Sequence, residues 1–427
     1  MKRTNMNLYR IKIFFVFIVL LLSFEARSMY ILIPMDDSQK DHLKAYGIAY
    51  WALEKSVEVK WLLNYRGGSF LVQQYPEIEN ECTIRGVSFE SITDAQTSAI
   101  LNEIAKPDVN MDAVAMNKAP KIAVYSPPNK QPWDDAVTLV LTYAEIPYDI
   151  VYDEEILDGK LSEYDWLHLH HEDFTGQHGK FWRVYQHTPW YQEEVRNDRE
   201  LAKNLGFLKV SELKSFVVQK IEKYIERGGF LFAMCAATDT YDIAMAATGV
   251  DICAPMFDGD PADKNAQEKL DFSRTLAFRN FKLEESPYVY EFSDIDATNT
   301  RKVARENDYF TLFDFSAKWD PIPTMLCQNH KNLIKGFMGQ TTAFRKEVIK
   351  PNVLIMGENK PAHEARYIHG ERGKGFWTFY GGHDPEDYRH LVGDPPTDLS
   401  LHPNSPGYRL ILNNVLFPAA KKKKRKT

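Results

Sequence analysis

Cys235 stands between the apolar run Phe230-Leu231-Phe232-Ala233-Met234 and the stretch Ala236 to Ala247, which reads as a helix. A thiol at such a strand-to-helix elbow lies near free backbone N–H groups and the positive end of a helix dipole, a setting that favours thiolate. His383, reached after Gly381 and Gly382, is the ring suited to take the thiol proton, and Glu386 or Asp384 the carboxylate to orient that ring. Nucleophile, base and orienting acid are the parts of covalent acyl transfer. Each residue alone reads more plainly as a buried cysteine or a hydrogen-bonded loop histidine. Their joint placement is what points to chemistry.

A second group, His170-His171-Glu172-Asp173, supplies metal-ligand types that His383 and Asp384 could complete. Three or four of them converging would hold zinc or another divalent ion. Neighbouring residues of an extended chain point to opposite faces, however, so at most one of the two adjacent histidines is expected to aim at a shared cleft. The thiol reading therefore ranks first, with no metal or cofactor assigned. His170, His171 and Glu172 are then expected to bind substrate, together with Ser126 before Pro127-Pro128 and with Trp182. Trp182 belongs to an aromatic segment with Phe174, Phe181, Tyr185, Trp190 and Tyr191, which Trp133 could join. Such a segment either packs over a sheet edge or caps the cleft and stacks on a ligand.

These residues share a place only if the elements before them run parallel. Strands are expected over Lys121 to Ser126, Tyr148 to Tyr152, Tyr164 to His170 and Phe230 to Met234, alternating with helices over Trp133 to Glu145 and Val210 to Arg227. The helix over Val210 to Arg227 should bury Leu213, Phe216, Val217, Ile221, Tyr224 and Ile225, and end at Gly228-Gly229. Val353 to Met356 resumes the core, Arg366 to His369 and Gly375 to Tyr380 form a hairpin, and Gly407 to Leu416 is the last helix. This pattern predicts an α/β fold with parallel strands joined by helices. Ligand sites in such sheets form beyond the carboxyl ends of the strands, where all the residues above fall.

Ahead of that domain (119–418, with insertions at 174–209 and 251–350), residues 29–118 read as a smaller N-terminal α/β unit. It starts with the strand Tyr30 to Pro34, continues with a helix from Leu43 to Leu53 and a strand from Val57 to Leu63, and ends in a linker from Lys106 to Lys118. Asn64 to Ser69 is a turn and not a phosphate loop, for no lysine follows its glycines.

The elbow cysteine after Gly-Gly-Phe-Leu-Phe-Ala-Met and the late His383-Asp384-Pro385-Glu386 resemble the class I glutamine amidotransferase-like superfamily. The run from Gly373-Lys374-Gly375 through Tyr380-Gly381-Gly382-His383 is similar to its ThuA-like, trehalose-utilisation branch. The resemblance covers roughly residues 119 to 418 and implies a flavodoxin-like parallel sheet with helices on both faces, Cys235 as nucleophile, His383 as base and Glu386 as orienting acid. Three departures stand beside it. Ala233-Met234-Cys235-Ala236-Ala237 replaces the usual glycine-flanked elbow, the loop at His170 is not glycine-rich, and Asp384 lengthens the usual His-Pro-Glu spacing. The whole chain also resembles exported bacterial proteins labelled asparagine synthetase B. The N-terminal cysteine and the Ser-Gly-Gly-X-Asp-Ser loop needed for ATP-dependent asparagine synthesis do not occur in it.

Lys2, Arg3, Arg10 and Lys12 precede the apolar run Ile13 to Leu22, and Ala26-Arg27-Ser28 follows, which reads as a secretory signal over residues 1–28. A periplasmic or secreted location is expected. The net charge of −7 gives no general affinity for nucleic acid. Only the tail at 419–427, with its run Lys421 to Lys426, suits contact with an anionic membrane surface. The four cysteines, Cys82, Cys235, Cys253 and Cys327, match no zinc motif, although Cys235 and Cys253 are close enough in sequence to pair in an oxidising compartment. Three functions follow: a Cys-dependent amidase or hydrolase acting on a small-molecule or peptide amide, a catalytically silent module binding an envelope protein, and a carbohydrate-related ThuA-like protein.

Overall fold

The computed structural model describes residues 29–128, 134–322, 331–389 and 391–420. The expected signal segment, Trp133, Cys327 and the Lys421 to Lys426 run lie outside the described residues. No helix among the described residues is long and apolar enough to cross a membrane.

The chain begins with β1 (Met29–Ile33), α1 (His42–Glu54), β2 (Val59–Leu63), β3 (Ser69–Gln73), α2 (Pro76–Arg85), β4 (Glu90–Thr93), α3 (Asp94–Ile104) and β5 (Asp112–Met116). The strands form an antiparallel five-stranded sheet in the order β4-β1-β3-β2-β5. The stretch expected as a linker therefore contains an edge strand, β5, paired along β2 from Val59↔Met116 to Leu63↔Asp112. Its apolar alternation covers only Val114 and Met116, too short a signal to stand out from a loop. Ile31, Ile33, Trp61, Phe70 and Val72 face α1, and through it the core of the larger unit.

That larger unit has a mixed sheet. Its first part comprises β6 (Ile122–Tyr125), α4 (Ala136–Tyr143), β7 (Asp149–Val151), α5 (Asp153–Leu157), β8 (Trp166–Leu169), α6 (Pro189–Asn204), α7 (Val210–Glu226), β9 (Phe230–Met234) and α8 (Ala237–Ala246). It continues with β10 (Tyr309–Leu312), β11 (Leu333–Lys335), β12 (Phe344–Arg345), β13 (Leu354–Asn359), β14 (Glu364–Arg372), β15 (Gly375–Tyr380) and α9 (Pro406–Leu416). The strands are ordered β11-β10-β13-β14-β15-β9-β8-β6-β7, with β12 on β14. From β15 to β7 every pairing is parallel, and from β11 to β15 every pairing is antiparallel. The chain is thus α/β, but the expected all-parallel sheet is corrected to a mixed one. The segment expected as an insertion, 251–350, contributes β10, β11 and β12 to it.

Burial explains why β9 is apolar at every position. Phe230, Phe232 and Met234 face one core with α1, α4 and α9, while Leu231 and Ala233 face the other with α7 and α8. A strand covered on both sides has no solvent face on which to place polar residues. Helix α7 turns its expected stripe to the second core with one exception: Phe216 is exposed and touches Phe207 at 5.2 Å. The buried place goes to Lys214, whose Nζ donates to Asp153 Oδ2 at 2.8 Å and to the hydroxyls of Tyr125 at 2.8 Å and Tyr152 at 3.2 Å.

Removing one partner of a buried ion pair strands the other charge without water, at a cost of about 3–5 kcal/mol. Lys214→Ala is expected to lower unfolding free energy in urea by that order, and Lys214→Ala with Asp153→Ala by less than the sum of the single losses. Additive losses in this double-mutant cycle would show that the pair is not coupled.

Candidate functional site

Strands β6, β8, β9 and β15 end side by side at Tyr125, Leu169, Met234 and Tyr380, in parallel register, so the residues that follow converge on one sheet edge. Cys235 turns the chain from β9 into α8 with φ +50°, left-handed backbone that costs an L-residue roughly 1–2 kcal/mol. Local bonds hold the turn. Cys235 N donates to the Gly382 carbonyl at 3.2 Å, and its own carbonyl accepts from Thr238 Oγ1 at 2.7 Å. Ala237 N donates to the His170 carbonyl at 2.9 Å, which ties the elbow to the end of β8 as well as to the end of β15.

The sulfur accepts the Gln340 N–H at 3.4 Å and lies at the wall of a 390 Å³ cavity that His171, His383, Phe181, Tyr290 and Gln340 also line. The expected thiolate-favouring setting is corrected here. Cys235 is 4% exposed, and its burial pushes the thiol up from 9.0 to about 12, outweighing the amides of Gln340, Ala236 and Thr341 that favour the anion. Among the described residues it forms no disulfide: Cys235 and Cys253 are both free, and Cys253 Sγ points at the Thr175 carbonyl at 3.3 Å.

Three imidazoles gather at this sheet edge. Ligand atoms of His170, His171 and His383 all lie within 4.8 Å of one another, and the His170 and His383 rings are 4.4 Å apart at 33°. Of the adjacent histidines His171 lines the cavity and His170 is buried behind it, in line with the expectation, yet both bring a ligand atom near His383. Strand β8 stops at Leu169, so the pair sits on a turning chain where strict alternation no longer holds. His383 is set by a close approach of backbones. Its N–H donates to the Met338 carbonyl at 2.9 Å, and a Cβ on Gly339 would lie 2.8 Å from His383 N.

Behind this group His170 Nδ1 lies 3.2 Å and His168 Nε2 3.0 Å from Asp135 Oδ2, while Asp135 Oδ1 caps α4 through the amides of Val137 and Thr138. Burial opposes charge on both sides of the pair, but the attraction prevails. Asp135 is held well below the usual carboxylate range and His170 above the usual imidazole range. Glu172, also buried, accepts the His170 N–H at 2.8 Å, and its carboxyl is raised to about 7 chiefly by burial. Asp239, in the first turn of α8, is likewise raised to about 7 by burial and accepts from Thr341 Oγ1 at 2.8 Å.

The remaining expected residues are elsewhere. Asp384 is occupied: its oxygens accept from Thr397 Oγ1 at 2.6 Å, from Tyr408 OH at 2.8 Å and from the Glu386 and Asp387 amides. Glu386 faces His402, with Oε2 3.2 Å from Nδ1. Both carboxylates thus hold the 384–387 turn to its surroundings. Trp182 stacks edge-on against Tyr288 and lines a separate surface pocket, because its short helix turns it away from the sulfur that Phe181 and Tyr185 approach. Ser126 pairs through its N–H with the Val151 carbonyl, and it is Pro127 and Pro128 that reach a cavity. That second cavity, 450 Å³, shares His171 and Phe181 with the first and carries acidic groups in its wall, Glu172, Glu194 and Asp198 among them.

Sequence reasoning missed Gln340, Asp135, Asp239 and Lys180. Lys180 follows His178 and Gly179 in a run of three left-handed residues, and its Nζ donates to the carbonyls of Glu284 and Glu291 at 2.6 and 3.0 Å. The one available signal for Gln340 was the small, polar run Gly339-Gln340-Thr341-Thr342 inside a segment otherwise read as an insertion.

No protein-family model and no curated protein matches this sequence. Among solved structures the chain is similar to the cytoplasmic protein STM3548 from Salmonella typhimurium, at 11% identity over 71% of this chain and 100% of that one, with a TM-score of 0.33. It is also similar to the exo-beta-1,4-mannosidase Op5Man5 from Opitutaceae bacterium strain TAV5, at 13% identity over 61% of this chain and 31% of that one, with a TM-score of 0.25. Likeness at these scores carries no weight for activity.

Alkylation rates follow the thiolate fraction, so native Cys235 should react with iodoacetamide at a rate that still climbs about tenfold per pH unit well above pH ~9. In the urea-unfolded chain the rate should level off near pH ~9 instead. The sign for stability is the same: below pH ~9 both states carry the protonated thiol, and as pH rises towards ~12 the unfolded state ionises first and is favoured. A native rate that levels off below pH ~8, read by mass spectrometry of the Cys235 peptide, would contradict this environment.

Proposed function

We propose that the chain is an exported thiol-dependent hydrolase of amides, with Cys235 as nucleophile and His383 as proton acceptor. The observation that carries the proposal is the left-handed elbow at Cys235, which spends conformational energy to bring the sulfur to a cavity wall shared with an imidazole. Reading β7-β6-β8-β9-β15 in chain order gives 2-1-3-4-5, the strand order of flavodoxin-like sheets, and supports the resemblance to the class I glutamine amidotransferase-like superfamily.

In this reading the thiol adds to an amide carbonyl as its proton passes to His383, which then protonates the departing amine. Water hydrolyses the resulting thioester and restores the thiol. Because the resting thiol is neutral, proton removal accompanies attack and does not precede it. The Gln340 N–H at the sulfur is the donor best placed to meet the developing oxyanion. The apolar wall of Phe181, Tyr185 and Tyr290 suits a substrate with an aromatic or aliphatic group beside the amide.

A second reading, a silent envelope-binding module, is favoured by one observation. Asp384 and Glu386, the carboxylates expected to orient His383, are both bound to other partners.

Peptidyl chloromethyl ketones distinguish the two. The hydrolase predicts saturable, single-site labelling of Cys235, slowed roughly 100-fold or more by His383→Gln. Labelling that stays linear with reagent concentration and is unchanged in His383→Gln would select the silent module.

A further inference from the structure

We propose that His170, His171 and His383 form a binding site for a divalent transition-metal ion of the zinc type, open on its fourth side to the cavity beside Cys235. This goes beyond the hydrolase reading and does not rest on it.

Three features of the histidines carry the inference. Their ligand atoms lie within 4.8 Å of one another, in a group that is buried except for the half-buried His171. Tetrahedral coordination at about 2.1 Å from each nitrogen needs nitrogen separations of about 3.4 Å, so modest ring rotations complete the set. Three imidazoles are a borderline-soft donor set that suits zinc, cobalt, nickel or copper over magnesium or calcium. His170 also has the outer support that metal-bound histidines carry. Asp135 Oδ2 lies 3.2 Å from its Nδ1, the place of the carboxylate behind a metal-bound imidazole, and its Nε2 is turned to the side of His383. Nε2 donates to the His383 carbonyl at 3.1 Å, and on binding it releases that proton and exchanges the bond for the ion.

The place is held rigidly. His170 and His383 are tied through their backbones to the same elbow, by Ala237 N at the His170 carbonyl and by Cys235 N at the Gly382 carbonyl. His171 lies where the two cavities meet, so the open coordination position faces space that a ligand can enter. An ion there engages the lone pair that His383 would use as a base. Metal-loaded and thiol-active chains are therefore alternative states of one cleft.

The test is titration of the full chain with cobalt(II) alone, followed by the visible d–d absorption that reports low-coordinate nitrogen ligation. One equivalent is expected to bind, and binding should persist in Cys235→Ala, disappear in His171→Ala, and weaken about 10–100-fold in Asp135→Asn, which keeps the helix cap. Circular dichroism of the metal-free variants confirms that each is folded. If His171→Ala is unfolded, His171→Gln replaces it with the same expectation. Absence of the band in the unaltered chain, its survival in the His171 variant, or its loss in Cys235→Ala would each overturn the three-histidine site. None of these outcomes decides the labelling of Cys235 by chloromethyl ketones, so the two proposals fail separately.

Discussion

The hydrogen bond from the Cys235 amide to the Gly382 carbonyl is the constraint on which the site depends. It joins the end of β9 to the end of β15 just where the chain turns left-handed. Strand pairing brings these ends level, because Tyr380 pairs with Met234 in parallel register. The next residue of β9 must then turn sharply to enter α8, and a bond to the neighbouring strand end offsets part of the strain of that turn. Without it Cys235 would relax, and Ala237, bonded to the His170 carbonyl, would move with it.

Around that bond the site is an exercise in desolvation. Burial pushes the Cys235 thiol and the Glu172 and Asp239 carboxyls towards their neutral forms, whereas His168 and His170 hold the Asp135 carboxyl down against its burial and Asp135 raises His170. The cleft is thus built to hold protons on acids and to withhold water, with the Asp135 carboxylate behind it. Such a place suits proton transfer coupled to bond formation, and equally suits a metal ion whose ligands need a dry, fixed setting.

The parallel half of the sheet was legible in the sequence because its strands carry the strongest patterns. Phe230–Met234 was bounded correctly, since a doubly buried strand is apolar throughout and Gly228-Gly229 marks its start. Strand β5 and the antiparallel strands β10 and β11 were not legible, being short, partly exposed and set among polar loops. Within the site, Cys235 was found because a polarizable residue ends an apolar run. That His170 and His171 both bring a ligand atom near His383 was not legible, because where a strand stops is a tertiary matter. Gln340 and Asp135 owe their roles to contacts made across the fold, which no local pattern announces. Asp384 and Glu386 show the opposite error: their spacing suggested an orienting acid, while their bonds hold a turn.

The most direct measurement is a crystal structure of the chain soaked with ethylmercury. The account predicts mercury on Cys235 inside the cavity that His171 and His383 line, with the cysteine backbone still at positive φ. A sulfur found on the other side of the sheet, or locked into a cystine, or carried on a relaxed right-handed backbone, would contradict it.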